Sequence, residues 1–132
     1  MKNLTCMKHS FMITHVQILE KFNKIKDYWV PKIVGELNGQ YIKLAKIKGE
    51  FVWHNHTDED EMFLVYQGTL IVDFNDRTTE TKKGEFLIIP KGIEHRPRTN
   101  GEEVWIMLFE PKATKHTGEV IDERTVTSLE WI

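Results

Sequence analysis

A single cysteine, Cys6, is present in 132 residues, so no intramolecular disulfide is available and a reducing, cytoplasmic setting is expected. Long apolar runs are absent as well. The longest, 86–90 and 104–109, have five or six residues, far short of the roughly 20 needed to span a bilayer. No membrane partner is therefore expected. Residues 1–12 mix Lys2, Lys8 and His9 with polar groups and lack the apolar core of a secretory leader, with Met1, Met7 and Met12 all available as starts. Neither charge sign dominates, the formal net charge being −2, and no basic face or helix-turn-helix suggests a nucleic-acid partner. Internal repeats and low-complexity tracts are missing too. What remains has the composition of one soluble globular domain, 40% hydrophobic and 29% charged.

Near the N-terminus, Ile18, Phe22, Ile25 and Trp29 fall on one helical stripe, and Thr14 followed by Gln17 fits a capping box. This spacing predicts a short packing helix that Pro31 ends. After Gly39 the chain changes to short β-branched and aromatic segments punctuated by Gly, Pro, Asn and Asp. Strands are predicted near 41–48, 50–54, 61–67, 69–74, 77–81, 86–89, 93–97 and 103–110, with a hairpin turn at Asn75-Asp76. The fold class is therefore all-β. Several strands are apolar on both faces: Val104, Ile106 and Leu108 oppose Trp105, Met107 and Phe109, and Phe63 and Val65 oppose Met62, Leu64 and Tyr66. One face fills a core and the other needs a cover, which leads us to expect a homodimer. Residues 112–132 form a more polar arm with Val120, Ile121, Val126, Leu129 and Trp131 scattered through it. The terminal Trp131 and Ile132 are expected to be covered by the barrel or by a second subunit.

His54 and His56 are separated by one residue, so on an extended chain both imidazoles face the same side. Glu61 follows a short acidic loop, Asp58-Glu59-Asp60, and opens the next apolar strand in phase with Phe63 and Val65; Asp60 is the alternative ligand. Pro90 and Gly92 mark a turn just before His95, from which the imidazole can face back inward. Imidazole and carboxylate donors together suit a divalent transition ion.

These residues resemble the two motifs of the cupin superfamily. Gly49, His54, His56, Glu61 and Gly68 follow the first, except that four residues rather than five separate Gly49 from His54. Gly84, Pro90, Gly92 and His95 follow the second, whose closing asparagine is here Thr99, with Asn100 beside it. The resemblance is to small single-domain bacterial cupins, some loosely likened to mannose-6-phosphate isomerase. It implies a jelly-roll β-barrel over 38–111, preceded by an N-terminal arm and helix in 1–37 and followed by a C-terminal arm in 112–132. It also implies one metal ion, Fe, Mn, Zn, Ni or Co, held by His54, His56, Glu61 and His95. Tyr41, Lys43, Phe51, Phe63 and Trp105 are candidates for contact with a small-molecule ligand or substrate, and Arg96 and Arg98 for an anionic group on it. Four protein ligands leave room for exogenous groups. That points to a metal-dependent enzyme, an oxygenase or a sugar isomerase or epimerase, or alternatively to a module that binds or senses a small ligand. No catalytic residue is assigned beyond Tyr41 or Lys43 as possible bases.

Overall fold

The computed structural model describes residues 13–112, 118 and 128–132. Expectations attached to Cys6, His9, Val120, Ile121, Val126 and the starts Met1, Met7 and Met12 lie outside the described residues.

The chain runs through α1 (Ile18–Phe22), β1 (Lys32–Leu37), β2 (Gln40–Ile47), β3 (Glu61–Gln67), β4 (Thr69–Phe74), β5 (Thr78–Lys82), β6 (Phe86–Ile89), β7 (His95–Arg98) and β8 (Val104–Pro111). Two antiparallel sheets result, one of five strands in the order β1-β2-β8-β3-β6 and one of three in the order β5-β4-β7. The all-β expectation holds, but the two sheets are not joined into a closed ladder. Alternation decides which side chains meet between them. Ala45, Ile47, Phe63, Val65, Ile89, Val104, Ile106 and Leu108 from the larger sheet pack against Leu70 and Val72 from the smaller. A second cluster lies on the outer side, where Phe22, Ile25, Val34 and Leu44 are buried with Tyr66, Trp105, Met107 and Ile132 against them. Here α1 and the C-terminal residues cover one half of the larger sheet.

Three local expectations are corrected. The helix has only five residues, and Gln17 stands at its N-cap with no side-chain cap bond, so the Thr14–Gln17 capping box does not form. Its stripe is broken by tertiary packing: Trp29 adopts φ 63°, donates from Nε1 to the Lys48 carbonyl at 2.9 Å, and stacks on Phe51 at 4.7 Å. Residues 50–54 are not a strand but make two isolated bridges, Glu50 to Arg98 and His54 to His95. The segment 32–37, assigned to the N-terminal arm from sequence, is β1 and pairs with β2.

The chain's last residues add to the edge of β1. Ile33 N–H donates to the Glu130 carbonyl at 2.8 Å, and Ile132 N–H donates to the Ile33 carbonyl at 3.1 Å. Trp131 stands edge-on to Tyr41, so the protein's own sheet takes up this terminus. In the hairpin, Phe74 N–H donates to the Arg77 carbonyl at 2.7 Å, closing the turn expected at Asn75-Asp76.

Gly68 joins β3 to β4 with φ +86°, and a Cβ there would meet Val104 Cγ2 at 3.0 Å and the Glu103 carbonyl at 3.2 Å. Both the left-handed backbone and the close approach require glycine. Gly68→Ala is expected to lower stability by about 2 kcal/mol, the left-handed penalty for a side chain being roughly 1–2 kcal/mol before the contact is added. A urea midpoint that falls at unchanged slope would show it.

Candidate metal centre

The four candidate donors come from a loop, a strand start and a second strand start, and backbone bonds hold these pieces together. His54 N–H donates to the His95 carbonyl at 3.0 Å and His95 N–H returns the bond to His54 at 2.9 Å. The two histidines are thus directly opposed across a narrow antiparallel bridge, their ring centroids 4.4 Å apart. Gly92 N–H donates to the His56 carbonyl at 2.7 Å, and Asn55 Nδ2 donates to Glu94 Oε2 at 2.9 Å. Thr99 replaces the asparagine of the second motif and does defined work. Its N–H donates to the Gly49 carbonyl and its Oγ1 accepts from Gly49 N–H, both at 2.9 Å. The start of one motif is therefore clamped to the end of the other.

His54, His56, Glu61 and His95 are all at most 2% exposed. One ligand atom from each lies within 4.8 Å of all the others. An ion with bonds of about 2.1 Å holds its donors about 3–4 Å apart, so the set is close to the spacing required. Proton placement points the same way. His54 Nδ1 lies 2.9 Å from the Val52 carbonyl and His95 Nδ1 lies 2.8 Å from the Ile93 carbonyl. A carbonyl can only accept, so in both rings Nδ1 carries the hydrogen; His95 Nε2 faces the Glu61 carboxylate, whereas Nε2 of the neutral His54 ring is a bare lone pair. His54 Nε2 has no hydrogen-bond partner and is fully buried. Burial, reinforced by His95, pulls the His54 pKa down to about 4, so a proton does not fill that lone pair at neutral pH. A transition ion would, and the residues fit one on this ground.

Glu61 is placed between the other two rings, with Oε1 at 3.2 Å from His95 Nε2 and Oε2 at 3.1 Å from His56 Nε2. Burial alone would raise its pKa, but the two imidazoles outweigh burial and hold the carboxyl well below its usual range. His56 is lowered by burial and raised by Glu61, Glu110 and Glu59, the carboxylates prevailing. The contact of His56 with Glu61 is not aligned as a hydrogen bond, and both His56 nitrogens are without one. Asp60, the alternative ligand, is exposed and accepts from Lys91 N–H at 2.9 Å, which ties the acidic loop to the turn before His95.

Beside the donors lies a cavity of about 30 Å³, room for roughly two water-sized groups. Phe51 and Phe63 line it together with His54 and Glu61, and Trp29, Ile47, Ile106 and Leu108 make the rest of the wall largely apolar. The other ligand-contact candidates go elsewhere. Trp105 lies on the outer side, stacked on Phe22 at 4.9 Å, because its phase on β8 is opposite to that of Ile106 and Leu108. Tyr41 packs against Trp131, with Lys112 Nζ 5.5 Å from its ring. Arg96 and Arg98 converge on Asp73 at 2.9 and 2.8 Å. Arg98 first, with Arg96 and Thr78, holds the Asp73 carboxyl down at about 2 against the opposing effect of burial, so these cations serve an ion cluster. Lys43 is buried and pairs with Glu110, Nζ to Oε1 at 3.0 Å. Glu110 was not singled out from the sequence. Its signal was its phase on β8, in step with Val104, Ile106 and Leu108.

The Cupin domain family model matches residues 41–111. Over 78 residues the chain is 40% identical to the Bacillus subtilis (strain 168) protein described as uncharacterized protein YdbB, covering 58% of this chain and 69% of that protein. The crystal structure of a cupin-2 domain containing protein from Shewanella frigidimarina is similar with a TM-score of 0.72 and 40% identity, over 80% of this chain and 99% of that one. A Neisseria meningitidis protein, NMB1881, is 29% identical with a TM-score of 0.69, over 75% of this chain and all of that one (100%).

Proposed function

This chain belongs to the Cupin domain family, and from that premise we propose that it is a metal-dependent enzyme acting on a small molecule bound beside His54, His56, Glu61 and His95. The observation that carries this reading is the buried, unpartnered Nε2 of His54 within a four-donor cluster. A lone pair so placed costs about 1–3 kcal/mol unless something accepts it, and an ion does. The ion belongs to the divalent transition series, Fe, Mn, Zn, Ni or Co, and supplies redox or Lewis-acid chemistry according to its identity.

The chain's own residues favour the oxygenase type over the sugar isomerase or epimerase type. A sugar presents a hydroxyl on almost every carbon and requires polar partners for them. The cavity wall offers apolar side chains apart from His54 and Glu61, and its free volume is about 30 Å³. Such a wall excludes water and accepts a small, weakly polar reactant. Phe51, itself stacked on Trp29, stands edge-on to His54 at 5.6 Å and fixes the ring's orientation.

The test is elemental analysis of protein purified without a metal-affinity column or added metal, followed by a screen for substrate-dependent oxygen consumption. About one iron per chain with such uptake supports the proposal. A bound ion with no turnover favours the second reading, a non-catalytic module that binds or senses a small ligand, which the scarcity of polar groups in the wall supports. No ion at all would remove both.

We also propose a homodimer. Met62 and Leu64 pair with Ile88 and Phe86 on the outer side of the larger sheet, beyond the part α1 covers. Phe86 and Ile88 are 59% and 55% exposed. β6 is the end strand of that sheet and carries no charged residue, an edge that soluble proteins rarely leave open. A second copy offers the same edge and the same apolar rows, so a twofold contact is self-complementary. Light scattering at micromolar concentration is expected to give twice the chain mass, and Phe86→Lys to return it to one.

A further inference from the structure

Next to Glu61 the inward side of the larger sheet carries two charges that the four donors do not use. Lys43 on β2 is 1% exposed and Glu110 on β8 is 0% exposed, joined at 3.0 Å. Strand register explains why they meet. Lys43 pairs with Leu108, two residues before Glu110, so both lie on the same face. Met62 pairs with Phe109, so one step further along each strand brings Glu61 beside Glu110. Lys43, Glu110 and Glu61 thus form an inward row across three adjacent strands, and the last of them is a candidate ligand.

One observation separates Glu110 from the ligand set. Among the described residues the donors that cluster within 4.8 Å are His54, His56, Glu61 and His95, without Glu110. Its Oε2 is buried with no hydrogen-bond partner, so the carboxylate is only half used by Lys43. The strand register sets this pair next to the donors, where a divalent cation would attract the Glu110 carboxylate and repel the Lys43 ammonium.

We propose that Glu110 is a positioning residue of the metal centre: it holds and neutralises the buried Lys43 ammonium beside Glu61, so that this charge does not oppose a divalent cation at the four donors. This rests on the metal-site reading above. It differs from a purely structural ion pair in one respect. A structural pair contributes to stability alone, whereas this one sets cation affinity through the sign of its charges.

The experiment is competition of cobalt(II), as the metal alone, against a chromogenic chelator, for the full-length chain, Glu110→Gln, and the double variant Lys43→Met/Glu110→Gln. Glu110→Gln keeps the shape and an acceptor for Lys43 while deleting the negative charge. It is expected to weaken cobalt binding about 10-fold to 100-fold, the range for groups that support ligands. The double variant removes both charges and is expected to recover affinity to within about threefold of the unaltered chain, because the pair's net charge is unchanged. It also covers the case in which Glu110→Gln alone fails to fold. Unchanged affinity in Glu110→Gln, or a double variant weaker than the single one, overturns the proposal. Loss of all cobalt from Glu110→Gln also overturns it, because Glu110 would then be a ligand. If the unaltered chain binds no cobalt, the metal-site reading itself falls.

Discussion

Lys43→Met is expected to lower the stability of the metal-free protein by about 3–5 kcal/mol on the alkaline side of pH 7, the cost of leaving one partner of a buried ion pair without the other. Both side chains are essentially inaccessible, so water cannot replace the lost ammonium beside Glu110. The carboxyl has one way to relieve the cost, which is to take up a proton. The sign follows from the direction of its shift. Glu110 is already raised by burial and by Glu61, and removing Lys43, which lowers it, raises it further. A group raised in the folded state contributes most below its unfolded value and loses that contribution as pH rises through the folded one. The deficit of Lys43→Met should therefore be small below about pH 7, the value to which the Glu110 carboxyl is raised in the unaltered protein, and grow as pH rises past it, where Lys43 lets the carboxyl ionise and methionine does not. Urea denaturation at several pH values in the presence of a chelator measures it. A deficit independent of pH would show that packing around the lysine stem, and not the charge on Glu110, supplies the cost.

The same pair shows where the sequence was legible and where it was not. The four donors could be read because glycine and proline fix the turns around them. Gly49, Gly84 and Gly92 all take positive φ, and their spacing specifies where the chain reverses. Strand phase favoured Glu61 over Asp60, and Glu61 does share the inward face with Phe63 and Val65. Glu110 was hidden because a lone carboxylate near the end of a strand looks solvated until its neighbours are known. Only the alignment of β2 against β8 brings Lys43 within 3.0 Å of it. β1 was hidden by an irregularity: its pairing shifts between Ile33 and Gly35, and three consecutive residues are buried, so the period of two is lost. The N-terminal stripe failed for the opposite reason. It was periodic, but Trp29 contributes more beside Phe51 than in a helix, and local propensity gives way to that contact. Residues 50–54 read as a strand because they are extended, yet they carry backbone pairing only at their two ends.

His56→Ala and His95→Ala are each expected to reduce bound metal from about one ion per chain to less than about a tenth, because each deletes a donor outright. The fold should survive both changes. The bridge that brings the two motifs together is made by the backbone of His54 and His95, at 3.0 and 2.9 Å, and needs neither imidazole. What His95→Ala leaves behind is the Ile93 carbonyl without its Nδ1 donor and Glu61 Oε1 without its Nε2 partner, each a cost of about 1–3 kcal/mol that a domain with two hydrophobic clusters can absorb. His56 has no hydrogen bond to lose, so His56→Ala should cost less, and in the presence of a chelator it should unfold at a higher denaturant concentration than His95→Ala. Asp60→Asn is the control: its carboxylate is engaged by Lys91 N–H outside the cluster, so metal content should not change. Full metal occupancy in either alanine variant, by elemental analysis of folded protein, would mean that the ion is held by a different set of donors, whereas loss of metal in Asp60→Asn would return the acidic loop to the coordination sphere.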